Sequence, residues 1–550
     1  MKKLVKNINL EKAGTLKNFL TESERMNITH LKISGQLNSS DFYVLDEMCT
    51  SWGERDEDDN FIIDDEVSPS LIDLDLGESI LIDNPTLGEF TYYPKLERFI
   101  FPKNVQEICE YGVFEGSYFL KTVEFSKTLK VIGFNAFGNC IRLSEINLPN
   151  SLEEIRDFAF YDCDSLKNVK IPAKVSFIGC AAFGGCTKLD KFIVHEDNQS
   201  FTTIDGVLFN RGKTKLIAFP CGYKSKHYIV PEGVQVIGEG AFAGANIETI
   251  ELPSSLQTIE CCAFQSCQNI KSLVIPNSVT EIGKLAFMNC TNLSKITLSE
   301  NLTILKEQTF TSCNKLKELI IPSSVKKIEQ FALAWTKNIE SLTLNEGLEE
   351  IADYLKFTKI KKLVIPSTVK KIISGLAIIG SESDFHNIEF EVNEDNPYFT
   401  TISGSLYNKS KTRLISIFPT DPKEFIVPKG TRIIEDYVFM NQELEKIILP
   451  NTIVTIKHRC FENCRNLKEI TLPKSLQRID FRAFGNCINL VKIKIKALTP
   501  PKMTNPSAGD WEFARDAKKA TLYVPEQSLK EYKKAFGWKD IKKIKALNSD

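Results

Sequence analysis

The chain has 550 residues, of which 42% are hydrophobic and 25% charged, and its formal net charge is −2. A single globular core rarely grows beyond about 250 to 300 residues, so a chain of this length either divides into domains or repeats a smaller unit. A nearly neutral charge gives no reason to expect nucleic acid or an anionic membrane as the main partner. The sequence contains no run of about 18 apolar residues, so no transmembrane segment is expected.

Residues 1–68 are predicted to form an amino-terminal cap that covers the first turn of a repeat array. Thr15 is predicted to cap a short helix that reaches Leu20, and Ser39 or Ser40 to start a second helix toward Met48. The first residues include lysines but no apolar segment follows them, so no signal peptide is visible.

An acidic loop, residues 54–66, follows the cap. Asp56, Asp58 and Asn60 match the first three ligand positions of a calcium loop, but Phe61 stands at the glycine position and Val67 at the glutamate position. The sequence therefore favours a solvated loop and predicts no metal site here.

The rest of the chain is organised around a repeat of 23 residues. Phe137, Phe160 and Phe183 are 23 residues apart, as are Cys140 and Cys163. Each repeat carries the pattern L-x-x-I-x-L, which is typical of a leucine-rich repeat with one short strand per turn. We therefore predict an α+β leucine-rich repeat solenoid over residues 69–496, with a parallel β-sheet on its concave face and a cap at each end.

Two further features of the repeat are predicted to be structural. Proline often follows the last inward residue of the strand and stops it, because proline has no amide to donate. Further on, an Ala-Phe pair recurs at fixed spacing, as in Ala159-Phe160 and Ala182-Phe183, and should stack its phenylalanines from turn to turn.

Two segments interrupt the repeat and copy each other at an offset of 198 residues. Residues 198–217 read N-Q-S-F-T-T-I-D-G-V-L-F-N-R-G-K-T-K-L-I, and residues 396–415 read N-P-Y-F-T-T-I-S-G-S-L-Y-N-K-S-K-T-R-L-I. Both predict antiparallel strands, so we place hairpin insertions near 198–230 and 396–428.

Residues 497–550 are predicted to form a carboxy-terminal cap. Ala520 to Val524 is expected to be the last strand, and Ser528 to start a helix that reaches Phe536. Trp538 is expected to cover the final apolar turn.

The cysteines and histidines do not predict a catalytic or metal site. Fifteen cysteines are present, and eight occupy one turn position of the repeat, where a reduced thiol can meet the carbonyl of a neighbouring turn. No C-x-x-C, H-E-x-x-H, G-x-S-x-G or phosphate loop occurs. Gly238, Gly240 and Gly244 lie inside a repeat and are interpreted as a turn. No cofactor is predicted.

A candidate binding surface is the fifth residue of each L-x-x-I-x-L pattern, which should point outward because side chains alternate along a strand. In the middle of the chain this position is apolar or carries threonine. Either β-propensity explains these residues, or they form a partner site. The candidate site residues are Val274, Thr297, Ile320, Thr343 and Val364.

The repeat unit, the segment Ile204 to Ile217, the opening A-G-T-L-K-N-F-L and the ending L-Y-V-P-E-Q-S-L-K-E-Y-K-K-A-F-G-W resemble the BspA-like leucine-rich repeat proteins. This resemblance implies a secreted or surface-displayed protein associated with adhesion; a cytoplasmic location is the alternative. The implied function is a non-catalytic scaffold, favoured as a monomer, that binds a protein or glycan.

The ends of the chain differ in charge, with 8 Lys or Arg against 19 Asp or Glu in residues 1–90 and 14 against 7 in residues 491–550. This asymmetry suggests a second interpretation, a structural surface coat that associates end to end. The third interpretation is an enzyme. It ranks below the other two because solenoids tend to offer broad surfaces rather than the deep clefts of active sites.

Overall fold

The structure is a computed structural model, and it describes residues 3–48, 70–82, 86–87, 95–109, 113–352, 359–373, 388–421, 423–504 and 520–547. The chain divides into two compact units, residues 1–293 and 294–550. The acidic loop 54–66 lies outside the described residues. The described residues of each unit are built mainly from parallel strands with little helix, as turns of a leucine-rich repeat solenoid, and the two units contain about 20 such turns in total.

Each described turn contributes one strand at the position of the L-x-x-I-x-L pattern, which we call its long strand even where it has only two or three residues. In unit 1 these strands are Val5–Leu10, His30–Leu37, Asp73–Leu81, Arg98–Ile100, Thr122–Glu124, Glu145–Ile146, Asn168–Ile171, Lys191–Val194, His227–Ile229, Thr249–Glu251 and Ser272–Val274. In unit 2 they are Lys295–Thr297, Glu318–Ile321, Ser341–Leu344, Lys362–Ile365, Glu389–Val392, Glu424–Ile426, Lys446–Ile448, Glu469–Leu472, Lys492–Ile495, Thr521–Val524 and Lys543–Ala546. Paired neighbours are parallel, for example Asn168–Ile171 with Lys191–Val194.

Most turns also carry a short second strand, which the sequence analysis did not predict. In unit 1 the short strands are Thr86–Leu87, Glu107–Ile108, Val131–Ile132, Glu154–Ile155, Phe177–Ile178, Val236–Ile237, Thr258–Ile259 and Glu281–Ile282. In unit 2 they are Ile304–Leu305, Lys327–Ile328, Glu350–Ile351, Lys371–Ile372, Ile433–Ile434, Thr455–Ile456, Arg478–Ile479 and Lys502–Met503. They pair in parallel with each other and form a second ladder. Successive turns are therefore joined along two lines of hydrogen bonds.

The core of each unit lies between these two ladders. Leu166, Val169 and Ile171 of one long strand are all buried, and the phenylalanine of each Ala-Phe pair packs behind them. Phe160 stacks on Phe137 and Phe183 with ring centroids 5.3 and 5.4 Å apart. Unit 2 repeats this arrangement with Phe439, Phe461 and Phe484, whose successive centroids are 5.0 and 4.9 Å apart. The predicted stacking of the phenylalanines is confirmed.

The two copied segments fold alike. In unit 1 the strands Phe201–Ile204, Val207–Asn210 and Lys215–Ala218 are antiparallel, and in unit 2 Phe399–Ile402, Ser405–Asn408 and Arg413–Ser416 repeat them. Asp205 and Gly206 join the first two strands with φ values of 50° and 81°, the left-handed geometry of a tight hairpin turn. The third strand then pairs in parallel with the next short strand, Val236–Ile237 in unit 1. Each insertion thus rejoins the second ladder.

The amino-terminal helices differ from the prediction. Thr15 precedes only a short 3-10 helix, Leu16–Asn18, and its hydroxyl donates to the Lys12 carbonyl rather than capping. The Leu16 amide is satisfied instead by the buried carboxylate of Asp41, at 2.9 Å. An unpredicted helix, Glu22–Asn27, begins with a capping box between Thr21 and Glu24.

The second predicted helix spans Ser39–Glu47, and Asn38 caps it rather than a serine. The Asn38 side chain accepts hydrogen bonds from the Ser40 and Asp41 amides. Asparagine at this position satisfies two first-turn donors and leaves both serines inside the helix.

The carboxy-terminal prediction was also partly wrong. In place of the helix predicted from Ser528 to Phe536, the chain forms the 3-10 helix Glu526–Ser528 and the α-helix Leu529–Tyr532, and the Ser528 side chain makes no capping hydrogen bond. Residues 521–524 are not the last strand, because Lys543–Ala546 pairs beyond them in parallel. Trp538 is fully buried, and its Nε1 donates to the Pro501 carbonyl at 2.8 Å.

Candidate functional site

The long strands place the fifth residue of each pattern on the outward face. In the strand Glu318–Ile321, Leu319 is 1% exposed and Ile321 is fully buried, whereas Ile320 between them is 60% exposed. This alternation follows from the pleat of a strand, in which successive side chains point to opposite faces. The outward position is therefore free of the packing that fixes its neighbours.

Four of the five candidate residues lie in unit 2 on successive long strands. We call Thr297, Ile320, Thr343 and Val364 the unit 2 strip; all four are exposed. Ile320 and Thr343 are direct cross-strand neighbours. Paired parallel strands lie about 4.8 Å apart, so these two side chains are next to each other on the outward face.

The fifth candidate, Val274, lies in unit 1 at the end of the strand Ser272–Val274 and is 66% exposed. Another exposed aliphatic side chain of unit 1, Ile229, is the cross-strand neighbour of Glu251. Glu251 Oε1 lies 3.4 Å from His227 Nε2. The outward face of unit 1 thus alternates aliphatic and charged positions here.

The sequence analysis missed Ile229 and its counterpart Ile426. Both follow an insertion, in the segments H-Y-I-V-P and E-F-I-V-P, and both are exposed. Ile426 is the cross-strand neighbour of Ile448 in unit 2. The signal was present, because the I-V-P ending matches the strand end that proline stops in other repeats.

Ion pairs border the aliphatic positions of unit 2. Val364 is the cross-strand neighbour of Glu391, whose carboxylate lies 2.5 Å from Lys362 Nζ and raises the pKa of that lysine. Similarly, Lys446 Nζ lies 3.1 Å from Glu424 Oε1, beside Ile426 and Ile448. Exposed aliphatic side chains thus lie next to ion pairs on the outward face of unit 2.

The repeated cysteines serve the turns. Cys140, Cys163 and Cys186 are buried, and each thiol donates to the carbonyl of the phenylalanine 26 residues earlier, at 3.1 to 3.2 Å. Burial raises the pKa of the Cys163 thiol, so it stays protonated at neutral pH. Cys140, Cys163 and Cys186 are free thiols, as predicted for a thiol ladder.

The remaining candidates for chemistry are structural. Gly238 follows the short strand Val236–Ile237 inside a turn, so the glycine series 238–244 shapes the backbone as predicted. Within the described ranges, no group of three histidine, cysteine, aspartate or glutamate side chains is placed to hold a metal ion. Across the same ranges, no helix is both long and apolar enough to cross a bilayer.

Comparison with known proteins identifies the repeat. The family described as BspA type leucine rich repeat region (6 copies) matches residues 87–216, 217–330, 259–376 and 423–549. A search of curated protein sequences found no match.

Solved structures similar to this chain are also leucine-rich repeat proteins. One from Bacteroides ovatus is 23% identical, with 72% of this chain and 88% of that chain covered and a TM-score of 0.41. One from Eubacterium ventriosum is 19% identical, with coverages of 55% and 87% and a TM-score of 0.46. A leucine rich cell surface protein from Faecalibacterium prausnitzii is 24% identical, with coverages of 71% and 84% and a TM-score of 0.39.

The family match covers well over half of the chain, and it falls on the turns whose ladders, stacked phenylalanines and cysteines are described above. The chain therefore belongs to the family of BspA-type leucine-rich repeat proteins.

Proposed function

We propose that this protein is a non-catalytic binding scaffold, secreted or displayed at the cell surface, that holds a protein partner against the outward face of its long strands. Membership of the BspA-type family supports a repeat scaffold. A solenoid suits this task because each turn is stabilised by its neighbours, which leaves the outward residues free to vary.

The observation that carries the proposal is the unit 2 strip. Ile320 and Val364 expose 60% and 49% of their surface, although β-branched aliphatic residues are usually buried. Burying a fully exposed side chain of this kind contributes roughly 1.5 to 3 kcal/mol, so covering the exposed half of one contributes about half of that. Contiguous exposed apolar side chains with a polar border commonly mark an interaction site.

A protein is a better occupant of this strip than a glycan. Its four side chains offer methyl groups and two threonine hydroxyls, and they include no aromatic ring. A glycan presents mainly hydroxyl groups, which would lose hydrogen bonds to water against such a surface. A partner's aliphatic or aromatic side chains would lose none.

The test compares wild-type protein with an Ile320→Asp/Val364→Asp variant for binding to panels of purified cell-surface proteins and free glycans. Ile488→Asp is the matched control, because Ile488 is 50% exposed but lies outside the long strands. We expect the double variant to lose binding to the protein that wild type binds, and the control to keep it. Far-UV circular dichroism and thermal unfolding check that both variants fold.

Two results would overturn the proposal. A folded double variant that binds the protein as wild type does would leave β-propensity as the reason for these residues. Binding to glycans alone would exclude a protein occupant. Val274→Asp, tested separately, shows whether the outward face of unit 1 takes part.

The same preparation distinguishes the scaffold from a surface coat that associates end to end. Sedimentation at low and high salt would show assemblies that dissolve as salt screens the charges of the two ends. The scaffold proposal expects the sedimentation coefficient to be the same under both conditions.

A further inference from the structure

The last four long strands of unit 2 form a sheet whose outward residues include four lysines, in contrast to the aliphatic and threonine residues of the unit 2 strip. The strands Glu469–Leu472, Lys492–Ile495, Thr521–Val524 and Lys543–Ala546 pair in parallel in that order. Their register aligns two outward rows, which are Glu469, Lys492, Thr521 and Lys543 in the first and Thr471, Lys494, Tyr523 and Lys545 in the second. Four of these eight positions are lysines.

Tyr523 lies at the centre of these lysines. Lys494 and Lys545 are its direct cross-strand neighbours, one on each side. Lys492 Nζ lies 5.4 Å from the centre of the tyrosine ring, within the range of a cation–π contact. Lys543 is on the next strand, opposite Thr521. The phenol ring is half-buried, so one part remains open to solvent.

Only one carboxylate balances these ammonium groups among the described residues of the two rows. Glu469 lies 2.6 Å from Lys494 Nζ and 3.4 Å from Lys492 Nζ, and these contacts lower the pKa of the glutamate. The eight residues therefore carry three net positive charges. Lys543 and Lys545, both exposed, extend this charge to the edge of the sheet.

We propose that this lysine–tyrosine face binds an anionic polysaccharide. Carboxylate or sulfate groups on the sugar would pair with the lysines, which act as flexible point charges. The face of a sugar ring would pack on Tyr523, whose rigid, amphipathic ring supplies contact area at low conformational cost. Strands about 4.8 Å apart place the lysines close enough together to contact successive groups of one chain.

Other anionic partners fit less well. An acidic peptide would use the lysines but has no need of the tyrosine. Proteins that bind single-stranded nucleic acid stack successive bases on several aromatic rings, and Tyr523 is the single ring among the eight outward residues. This inference is independent of the protein-binding strip, because it uses different strands and a different ligand class.

The experiment measures binding of the full chain to heparin, polygalacturonate, poly-glutamate and a single-stranded oligonucleotide at two salt concentrations. Heparin and polygalacturonate distinguish sulfate from carboxylate as the recognised group. We expect wild type to bind at least one of these polysaccharides more tightly than poly-glutamate or the oligonucleotide. Binding should weaken with salt, because each lysine contact releases about one counterion.

Two variants separate the contributions. Lys543→Ala/Lys545→Ala should weaken polysaccharide binding about thirtyfold, since a lysine near an anionic surface contributes roughly fivefold. Tyr523→Ser should weaken binding to the polysaccharide but leave poly-glutamate binding unchanged. Lys315→Ala/Lys337→Ala is the matched control, because these two lysines are exposed on turns of the same unit. It should bind as wild type does.

The proposal is overturned if the control variant loses as much affinity as Lys543→Ala/Lys545→Ala, since net charge alone would then explain binding. Failure to bind either polysaccharide, tighter binding to the oligonucleotide, or a Tyr523→Ser variant that binds polysaccharide normally would overturn it as well. The Ile320→Asp/Val364→Asp variant should retain polysaccharide binding, so failure of this proposal and failure of the proposed function are distinguishable.

Discussion

At the scale of single residues, one turn position shows how a side chain joins successive repeats. Cys163 donates its thiol to the Phe137 carbonyl at 3.2 Å, and Thr336 fills the same position with a hydroxyl that donates to the Phe310 carbonyl at 2.9 Å. Both residues are fully buried. The position therefore requires a small donor, and cysteine meets this requirement with little desolvation cost.

This requirement predicts different outcomes for two substitutions of equal shape. Cys163→Thr should keep the hydrogen bond to the Phe137 carbonyl, whereas Cys163→Val should remove it and leave that carbonyl without this donor. We expect the valine variant to be less stable than the threonine variant by about 1 to 2 kcal/mol. Urea unfolding followed by circular dichroism would measure the difference. Equal unfolding midpoints would show that packing alone selects cysteine.

At the scale of elements, each insertion is anchored by one buried asparagine. This asparagine is the first residue of both copied segments, and the sequence alone did not indicate its role. Asn198 Nδ2 donates to the Pro172 and Val175 carbonyls at 2.8 and 2.9 Å, and its Oδ1 accepts from the Ser200 and Phe201 amides at 2.9 and 2.8 Å. In unit 2, Asn396 makes the same four kinds of contact. Both side chains are fully buried, so their donors and acceptors are satisfied by protein groups.

Asn198→Asp tests this anchor, because the two side chains have the same shape but an aspartate cannot donate to both carbonyls. We expect a loss of about 2 to 4 kcal/mol at neutral pH, since a buried charge would face two carbonyl oxygens. Burial should raise the folded-state pKa of this carboxyl, so the loss should grow as the pH rises above about 4, its unfolded value. Unfolding midpoints at several pH values measure the effect.

Asn269→Asp is the control for this variant, because Asn269 is exposed on a turn and donates to the Asn246 side chain rather than to buried carbonyls. Its stability should stay within about 0.5 kcal/mol of wild type. An Asn198→Asp variant with the same small change at every pH would contradict the anchoring role.

At the scale of the whole molecule, the fold could be predicted further than the site. The 23-residue spacing predicted the long ladder and the stacked phenylalanines, because a repeated pattern leaves one way to bury every apolar position. The short ladder was missed, because a strand of two residues such as Glu154–Ile155 is too short to show the alternation of buried and exposed side chains that marks a strand. The helix Glu22–Asn27 was missed because its residues are not buried, so no apolar stripe marks it. Which outward residue contacts a partner depends on a molecule that the sequence does not contain.

A repeat architecture makes a last prediction about removing sequence. Deleting residues 141–163 joins Cys140 to Asp164 and restores the L-x-x-I-x-L spacing, so Phe137 would stack on Phe183 in place of Phe160. Because each turn contacts mainly its neighbours, we expect a folded protein with a modestly lower unfolding temperature. Deleting only residues 152–163 should unfold the surrounding turns, since it places a long strand against a short one. Circular dichroism and thermal unfolding would compare the two deletions. An equal loss of structure in both would contradict the expectation that the array tolerates removal of one whole turn.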